Sequence, residues 1–340
     1  MRHKKLLPYY ILAFALVFLS ARSAYALTIT PIRIELKSNP GTTVEANVTI
    51  TNEQKASANF YPSFANFEAQ GESGNPTFSD DSHDLASWMS TDQLVHLEPN
   101  ESKTVKIKIS IPSDADPGGH FAAAFFGTLP PNKSGNGQIG IGAKTGTLIL
   151  LSVNGDVKES AGLLDFYPLD HKTFYNTLPV SFSYRFRNDG GDRIKPAGSI
   201  TMHDIFYIPE DSIDANPSSG NILPNSTRRF GVDWIKSPRD KEYTEPTGVF
   251  AKFFGTALYE WHNYAFGPYF VKLNLLYGTS ATRVSKMAFI FVFPWQLLIC
   301  LAIILIIIFW GGKKLIRRYN RHIIQKARVG MNTPSDVPHA

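Results

Sequence analysis

Apolar and polar residues alternate with a period of two over several stretches of this 340-residue chain. Between Thr43 and Thr51, Val44, Ala46, Val48 and Ile50 share one face, and Thr43, Glu45, Asn47, Thr49 and Thr51 the other. From Ser102 to Ile111, Val105, Ile107, Ile109 and Ile111 face one way and Lys106, Lys108 and Ser110 the other. Such patterning predicts strands with one packed face and one wet face. Leu27 to Leu36 is expected to be a further strand, with Pro31 marking an edge or a kink. The pattern returns later, with Val180, Phe182, Tyr184 and Phe186 against Ser181, Ser183, Arg185 and Arg187, and again at Val271, Leu273, Leu275 and Tyr277. Turn-forming clusters separate these runs: Asn39-Pro40-Gly41, Gly71 to Pro76, Glu98-Pro99-Asn100, Asp116 to Gly119 and Asn188 to Gly191. No helical period is expected outside the two long apolar runs described next.

The first of these runs opens the chain. Basic Met1 to Lys5, apolar Leu6 to Ser20 and the small-x-small site Ala24-Tyr25-Ala26 have the order of a secretory signal peptide, expected at residues 1–26. The second, Met287 to Trp310, carries no charge, and Gln296 is its only strongly polar residue. It exceeds the roughly 20 residues needed to cross about 30 Å of hydrocarbon. Pro294 can open the helix, and Trp295 and Trp310 suit the two interfaces. Seven bases from Lys313 to Arg328 follow the run, against Arg283 and Lys286 before it, so the positive-inside bias places residues 311–340 in the cytoplasm. Within that tail Leu315, Tyr319 and Ile323 recur at helical spacing among the bases, a pattern suited to the inner leaflet.

The formal charge of +5 changes meaning once split. The leader and the tail are both basic, and the stretch between them is net acidic. The positive total therefore reflects topology and does not point to nucleic acid. The one cysteine, Cys300, lies in the second apolar run, so the exported part must be held by packing without disulfides.

The fold class expected is all-β: two tandem immunoglobulin-like β-sandwiches at residues 27–158 and 159–282, followed by one transmembrane α-helix at 287–310. LEPNESKTVKIKI (Leu97 to Ile109) and ILPNSTRRFGVDW (Ile222 to Trp234) are loosely alike, which hints at two copies of one sandwich type.

Candidate chemistry is sparse. Gly135-Asn136-Gly137-Gln138-Ile139-Gly140 matches GxGxxG but lacks the preceding strand and following helix that a dinucleotide site needs, and is taken as a hairpin loop. Asp80, Asp81 and Asp84, and Asp114 with Asp116, could offer oxygen ligands to calcium, although such clusters are more often solvated turns. His83, His96 and His120 have no ligand spacing, and neither HExxH nor GxSxG occurs. No catalytic, cofactor or metal residue is assigned. Aromatics crowd Phe253 to Phe270, either as sandwich core or as a binding surface, and the core is favoured.

ITPIRIELKSNPGTTVEANVTITNEQ (Ile29 to Gln54), SWMS (Ser87 to Ser90) and LEPNESKTVKIKISIPSDADPGGHFAAAFFG (Leu97 to Gly127) resemble the peptidoglycan-binding first domain of bacterial WxL-interacting proteins. The resemblance implies a cell-surface protein whose first domain contacts cell-wall glycan (peptidoglycan) and whose second engages another cell-surface protein, one carrying WxL domains, or a host ligand, with the lipid bilayer met through 287–310. The function expected is thus a non-enzymatic, membrane-anchored binding or scaffold protein of the cell surface. The alternative is an envelope assembly chaperone that completes a client's sheet from an edge strand such as Ile32 to Leu36.

Overall fold

The computed structural model describes residues 27–79, 83–130, 144–237 and 247–331. The leader and the Gly135–Gly140 match lie outside these residues, as do Asp80 and Asp81. The protein is mostly β, and the described residues form four sheets, two main buried cores and one long apolar C-terminal helix.

In the N-terminal half, β1 (Leu27–Thr30), β3 (Thr43–Asn52), β6 (Met89–Ser90) and β8 (Ser102–Ser110) form a sheet in the order β1-β3-β8-β6. The facing sheet comprises β2 (Arg33–Ser38), β4 (Ala58–Gln70), β5 (Asn75–Ser79), β9 (Gly118–Gly127) and β10 (Lys144–Val153) in the order β2-β10-β9-β4-β5, with β7 (Val95–Leu97) joining β4. The alternating faces behave as the sequence predicts. Val105, Ile107, Ile109 and Ile111 are buried with Val48 and Ile50, while Lys106 and Lys108 are exposed. On the wet face the Thr49 and Thr104 hydroxyls are 3.1 Å apart, and those of Thr51 and Ser102 are 2.7 Å apart. The single strand expected from Leu27 to Leu36 is two strands in different sheets. Pro31, which cannot donate to a ladder, lies in the break.

In the C-terminal half, β11 (Ala161–Pro168), β13 (Val180–Asn188) and β16 (Ser226–Trp234) form one sheet in that order. β12 (Phe174–Tyr175), β14 (Ala197–His203), β15 (Pro209–Asp214), β17 (Gly267–Tyr277) and β18 (Thr282–Val292) form the other, ordered β12-β18-β17-β14-β15. Phe182, Tyr184, Trp234, Val271 and Leu273 fill the core between them.

The two halves share devices that support the internal likeness seen in sequence. Buried Asn52, at the end of β3, donates to Leu97 O at 3.2 Å; buried Asn188, at the end of β13, donates to Ile222 O at 3.0 Å. Leu97 and Ile222 occupy corresponding positions in the two similar segments. Each segment then turns at Pro-Asn, with Asn100 (φ 60°) and Asn225 (φ 56°) in the left-handed region that asparagine tolerates.

Among the described residues there are also three helices: α1 (Leu85–Trp88), α2 (Val249–His262) and α3 (Trp295–Met331). Helix α2 corrects the expectation that no helix would occur outside the apolar runs. It also corrects the reading of the Phe253–Phe270 aromatics as mainly core. Tyr259 and Tyr269 are buried, but Phe250, Phe254, Leu258 and Trp261 lie exposed along α2. The apolar run from Met287 is shared between β18, which extends to Val292, and α3. Helix α3 is long and apolar enough to cross a membrane between Trp295 and Ile324. Its 37 residues span about 55 Å at ~1.5 Å each, well beyond the ~30 Å hydrocarbon core. The basic turns from Lys313 onward therefore continue the same helix.

Candidate functional site

Strand β2 is the outermost strand of its sheet. It runs parallel to β10, with Arg33 opposite Leu148 and Ser38 opposite Val153. In a parallel ladder, the N–H and C=O of one residue point to the same neighbour and alternate along the strand. The Leu148 N–H donates to Ile32 O at 3.0 Å and the Asn154 N–H to Ser38 O at 2.8 Å, so even-numbered residues of β2 face β10. The backbones of Arg33, Glu35 and Lys37 therefore face outward, where no strand among the described residues pairs with them. The edge continues on β10, because β2 starts opposite Leu148 while β10 starts at Lys144. Among the described residues, 144–147 pair with β9 alone. Ile32, 80% exposed, stands at the corner between the two parts. Unpaired edges of this kind are templates for another chain.

The side chains of β2 divide by face. Ile34 and Leu36 pack on the N-terminal core. Arg33 lines a cleft between the halves, of about 160 Å³, whose apolar walls include Phe67, Leu148, Leu150 and Leu223. Beside it Glu35 accepts from Lys195 Nζ (3.0 Å) and Asn221 Nδ2 (2.9 Å), and its Oε1 lies 3.1 Å from Arg33 Nε in an ion pair. Burial opposes its charge, but the Asn221 and Lys195 hydrogen bonds, with the nearby charges of Lys195 and Arg193, outweigh it and hold the carboxyl below the usual range.

Arg228 is the unusual group in the cleft. Its Nη1 donates to Asn221 O at 2.8 Å, while its Nε is buried with no partner among the described residues. No carboxylate pairs with it among those residues. Two glycines make room for the guanidinium: a methyl on Gly74 would lie 2.5 Å from Arg228 Cζ, and one on Gly220 would lie 2.8 Å from it. Burial, and then the nearby charge of Arg33, push the Arg228 pKa down. Two guanidiniums, one with an unused donor, between apolar walls suit a carboxylate or similar anion.

The cleft is held by contacts across the halves. Glu72, in the turn between β4 and β5, receives Arg185 Nε at 3.0 Å on both oxygens, Arg185 Nη2 at 2.6 Å and Arg229 Nη2 at 3.0 Å. The Arg229 N–H donates to Glu72 O at 2.8 Å, and the Gly119 N–H to Gly191 O at 3.0 Å. Gly118, at φ +127°, allows this last approach, since a methyl there would lie 2.5 Å from Gly191 O.

The histidines are satisfied locally. His120 faces Asp84 Oδ1 at 2.6 Å and Asp116 O at 2.9 Å and packs against Trp88, while His96 faces Asn59 Oδ1 at 2.7 Å. Burial disfavours the His120 cation, yet these two acceptors outweigh it and raise its pKa. Asp84 and Asp116 thus serve this histidine. Sequence reasoning missed Arg228 and the cleft, because Arg33 and Arg228 meet only through docking of the two halves.

No family model matches the chain, and no curated protein matches it. Among solved structures, the chain is similar to the class 5 fimbriae chaperone CfaA, at 16% identity over 77% of this chain and 98% of that one, with a TM-score of 0.36. It is also similar to the Escherichia coli chaperone DraB, at 11% identity over 78% and 98%, TM-score 0.35. A third is the Salmonella enterica SafA pilin in complex with the SafB chaperone, at 8% identity over 80% and 98%, TM-score 0.34.

The expectation of a cell-surface scaffold that reads cell-wall glycan is corrected here. The structures to which the chain is similar are chaperones. The open edge instead favours the alternative of strand addition.

Proposed function

We propose that this chain is a non-enzymatic assembly chaperone of the cell envelope that acts by β-strand addition. In this reading it consists of two tandem immunoglobulin-like domains outside the membrane, held by α3, with the C-terminus in the cytoplasm. The single observation that carries it is the open sheet edge beside a basic cleft. An incoming client strand would bond to the outward groups of Lys144 and Gly146 on β10, or of Arg33, Glu35 and Lys37 on β2. A carboxylate on that client would meet Arg33 and Arg228 in the cleft. Main-chain bonds supply affinity in this mode, and side-chain pockets supply choice of partner. The partner is accordingly another envelope protein that has an incomplete sheet.

Site-specific photocrosslinking in the native envelope tests this. A photoreactive residue at Ile32 or Thr145, both exposed at the edge, should yield a discrete protein adduct. One at Lys106, on the far sheet's wet face, should not. Adducts at Lys106 equal to those at the edge, or none at the edge with abundant partner capture elsewhere, would overturn the reading.

A further inference from the structure

Helix α2 presents an apolar stripe that the described residues leave uncovered. Phe250 (81% exposed), Phe254, Leu258 and Trp261 fall within about 80° of one another at 100° per residue, turned away from buried Tyr259 and Glu260. This stripe is fixed relative to the start of α3. The Leu297 N–H donates to Glu260 Oε2 at 2.6 Å, and the Phe253 ring meets Trp295 edge-on at 5.9 Å. Whatever medium surrounds the first turns of α3 therefore also reaches α2.

A second, separate segment presents apolar side chains at the same end of the C-terminal sheets. The loop after β14 carries Ile205, Phe206 (78% exposed), Tyr207 and Ile208 outward. Its shape is held by Asp204, whose Oδ1 accepts the Phe206 and Ile208 N–H groups at 2.9 and 2.8 Å. Tyr207 stacks on His203 at 4.4 Å, and His203 lies opposite Phe270, near the start of β17. Phe270 contacts Phe289 on β18, three residues before that strand ends at Val292. The loop is thus within about 10 Å, at ~3.3 Å per residue, of the level at which the chain passes into α3.

Exposed apolar surface of this extent marks a protein or a membrane contact. Three features select the membrane. The α2 stripe is continuous with the exposed apolar surface of α3 through Phe253 and Trp295. The exposed residues include Trp261 and Tyr207, whose amphipathic rings favour the headgroup boundary. Two segments far apart in sequence converge on one level. We propose that α2 and the Asp204–Ile208 loop are embedded in the outer leaflet of the bilayer that α3 crosses, seating the C-terminal sheets on the membrane at three points. This inference rests on α3 spanning the bilayer and is independent of strand addition.

Full-length chain with Cys300→Ser, reconstituted in phosphatidylcholine–phosphatidylglycerol vesicles, tests it. A nitroxide is attached in turn at Phe206→Cys, Phe254→Cys, Leu305→Cys or Lys106→Cys, all exposed positions whose replacement unpacks no core. Relaxation by oxygen, which partitions into lipid, is compared with relaxation by a water-soluble nickel chelate. The expected result is oxygen-dominated relaxation at 206, 254 and 305 and nickel-dominated relaxation at 106. Nickel-dominated relaxation at 206 and 254, with 305 still in lipid, would overturn the seat alone. Weak relaxation by both reagents at 206 and 254 would mean a protein cover and would also overturn it. Nickel-dominated relaxation at 305 would remove the membrane span and the seat together.

Discussion

Replacing Ile107 with Asp tests the strand register on which the N-terminal half depends. Ile107 is 0% exposed, midway along β8, opposite Ala46 and packed in the N-terminal core. Removing the buried side chain forfeits about 1.5–3 kcal/mol. Placing a polar group there without a partner adds about 1–3 kcal/mol on the scale of protein mutations. Together these come to about 2.5–6 kcal/mol, a large part of the ~5–15 kcal/mol that holds a domain. Lys106 is the control, one residue away on the wet face, with its Nζ 3.4 Å from Glu45 in an exposed pair. Such a pair contributes no more than about 1 kcal/mol, so Lys106→Asp should cost little. Hydrogen exchange on the full chain reads both variants. Ile107→Asp should lower protection in β3 and β8 sharply, and Lys106→Asp should leave it near the wild-type level. Equal loss in the two variants would refute the register.

Two further predictions concern pH. Glu72 is held below its ordinary pKa, first by the Arg185 hydrogen bonds and then by Arg229. A lowered folded pKa means that its contribution is present above the unfolded value near 4.5 and is lost as pH falls through the folded value. Glu72→Gln should therefore lower the melting temperature at neutral pH, and the gap to wild type should close in acid. Glu260 has the opposite sign: burial, its largest influence, raises its pKa against the bonds from the Leu297 and Gln296 N–H groups. Its carboxylate costs nothing below pH 4.5 and destabilises increasingly as pH rises through the raised folded value. Wild type should thus lose stability relative to Glu260→Gln between acid and neutral pH, and a pH-independent difference would refute this.

What the sequence disclosed followed from how many faces of each element meet water. Strands β3, β8, β13 and β17 alternate cleanly where one face is wet. Strands β9 and β10 do not, because secondary clusters around Ala123 and around Phe121 and Leu150 bury much of their outer face. Their runs, from Phe121 to Phe126 and from Leu148 to Val153, give length without a period. Helix α2 escaped notice because Tyr, Phe and Trp from Phe253 onward suit a strand as well as a helix. The usable signal was the spacing of Phe250, Phe254, Leu258 and Trp261. The edge strand was legible from Pro31 and the alternating residues after it. The cleft was not, since Gly74, Gly220 and Arg228 come together only when the two halves dock.

Strand addition has one direct physical consequence: outward backbone N–H groups at the edge acquire acceptors. Hydrogen exchange of the full chain, alone and in non-covalent complex with the partner that edge crosslinking identifies, measures this at peptides covering 31–38 and 144–148. Strand addition predicts slowed exchange in one or both of these peptides in the complex, with β3 and β13 unchanged. A recovered complex in which both edge peptides exchange as fast as in the free chain would contradict it.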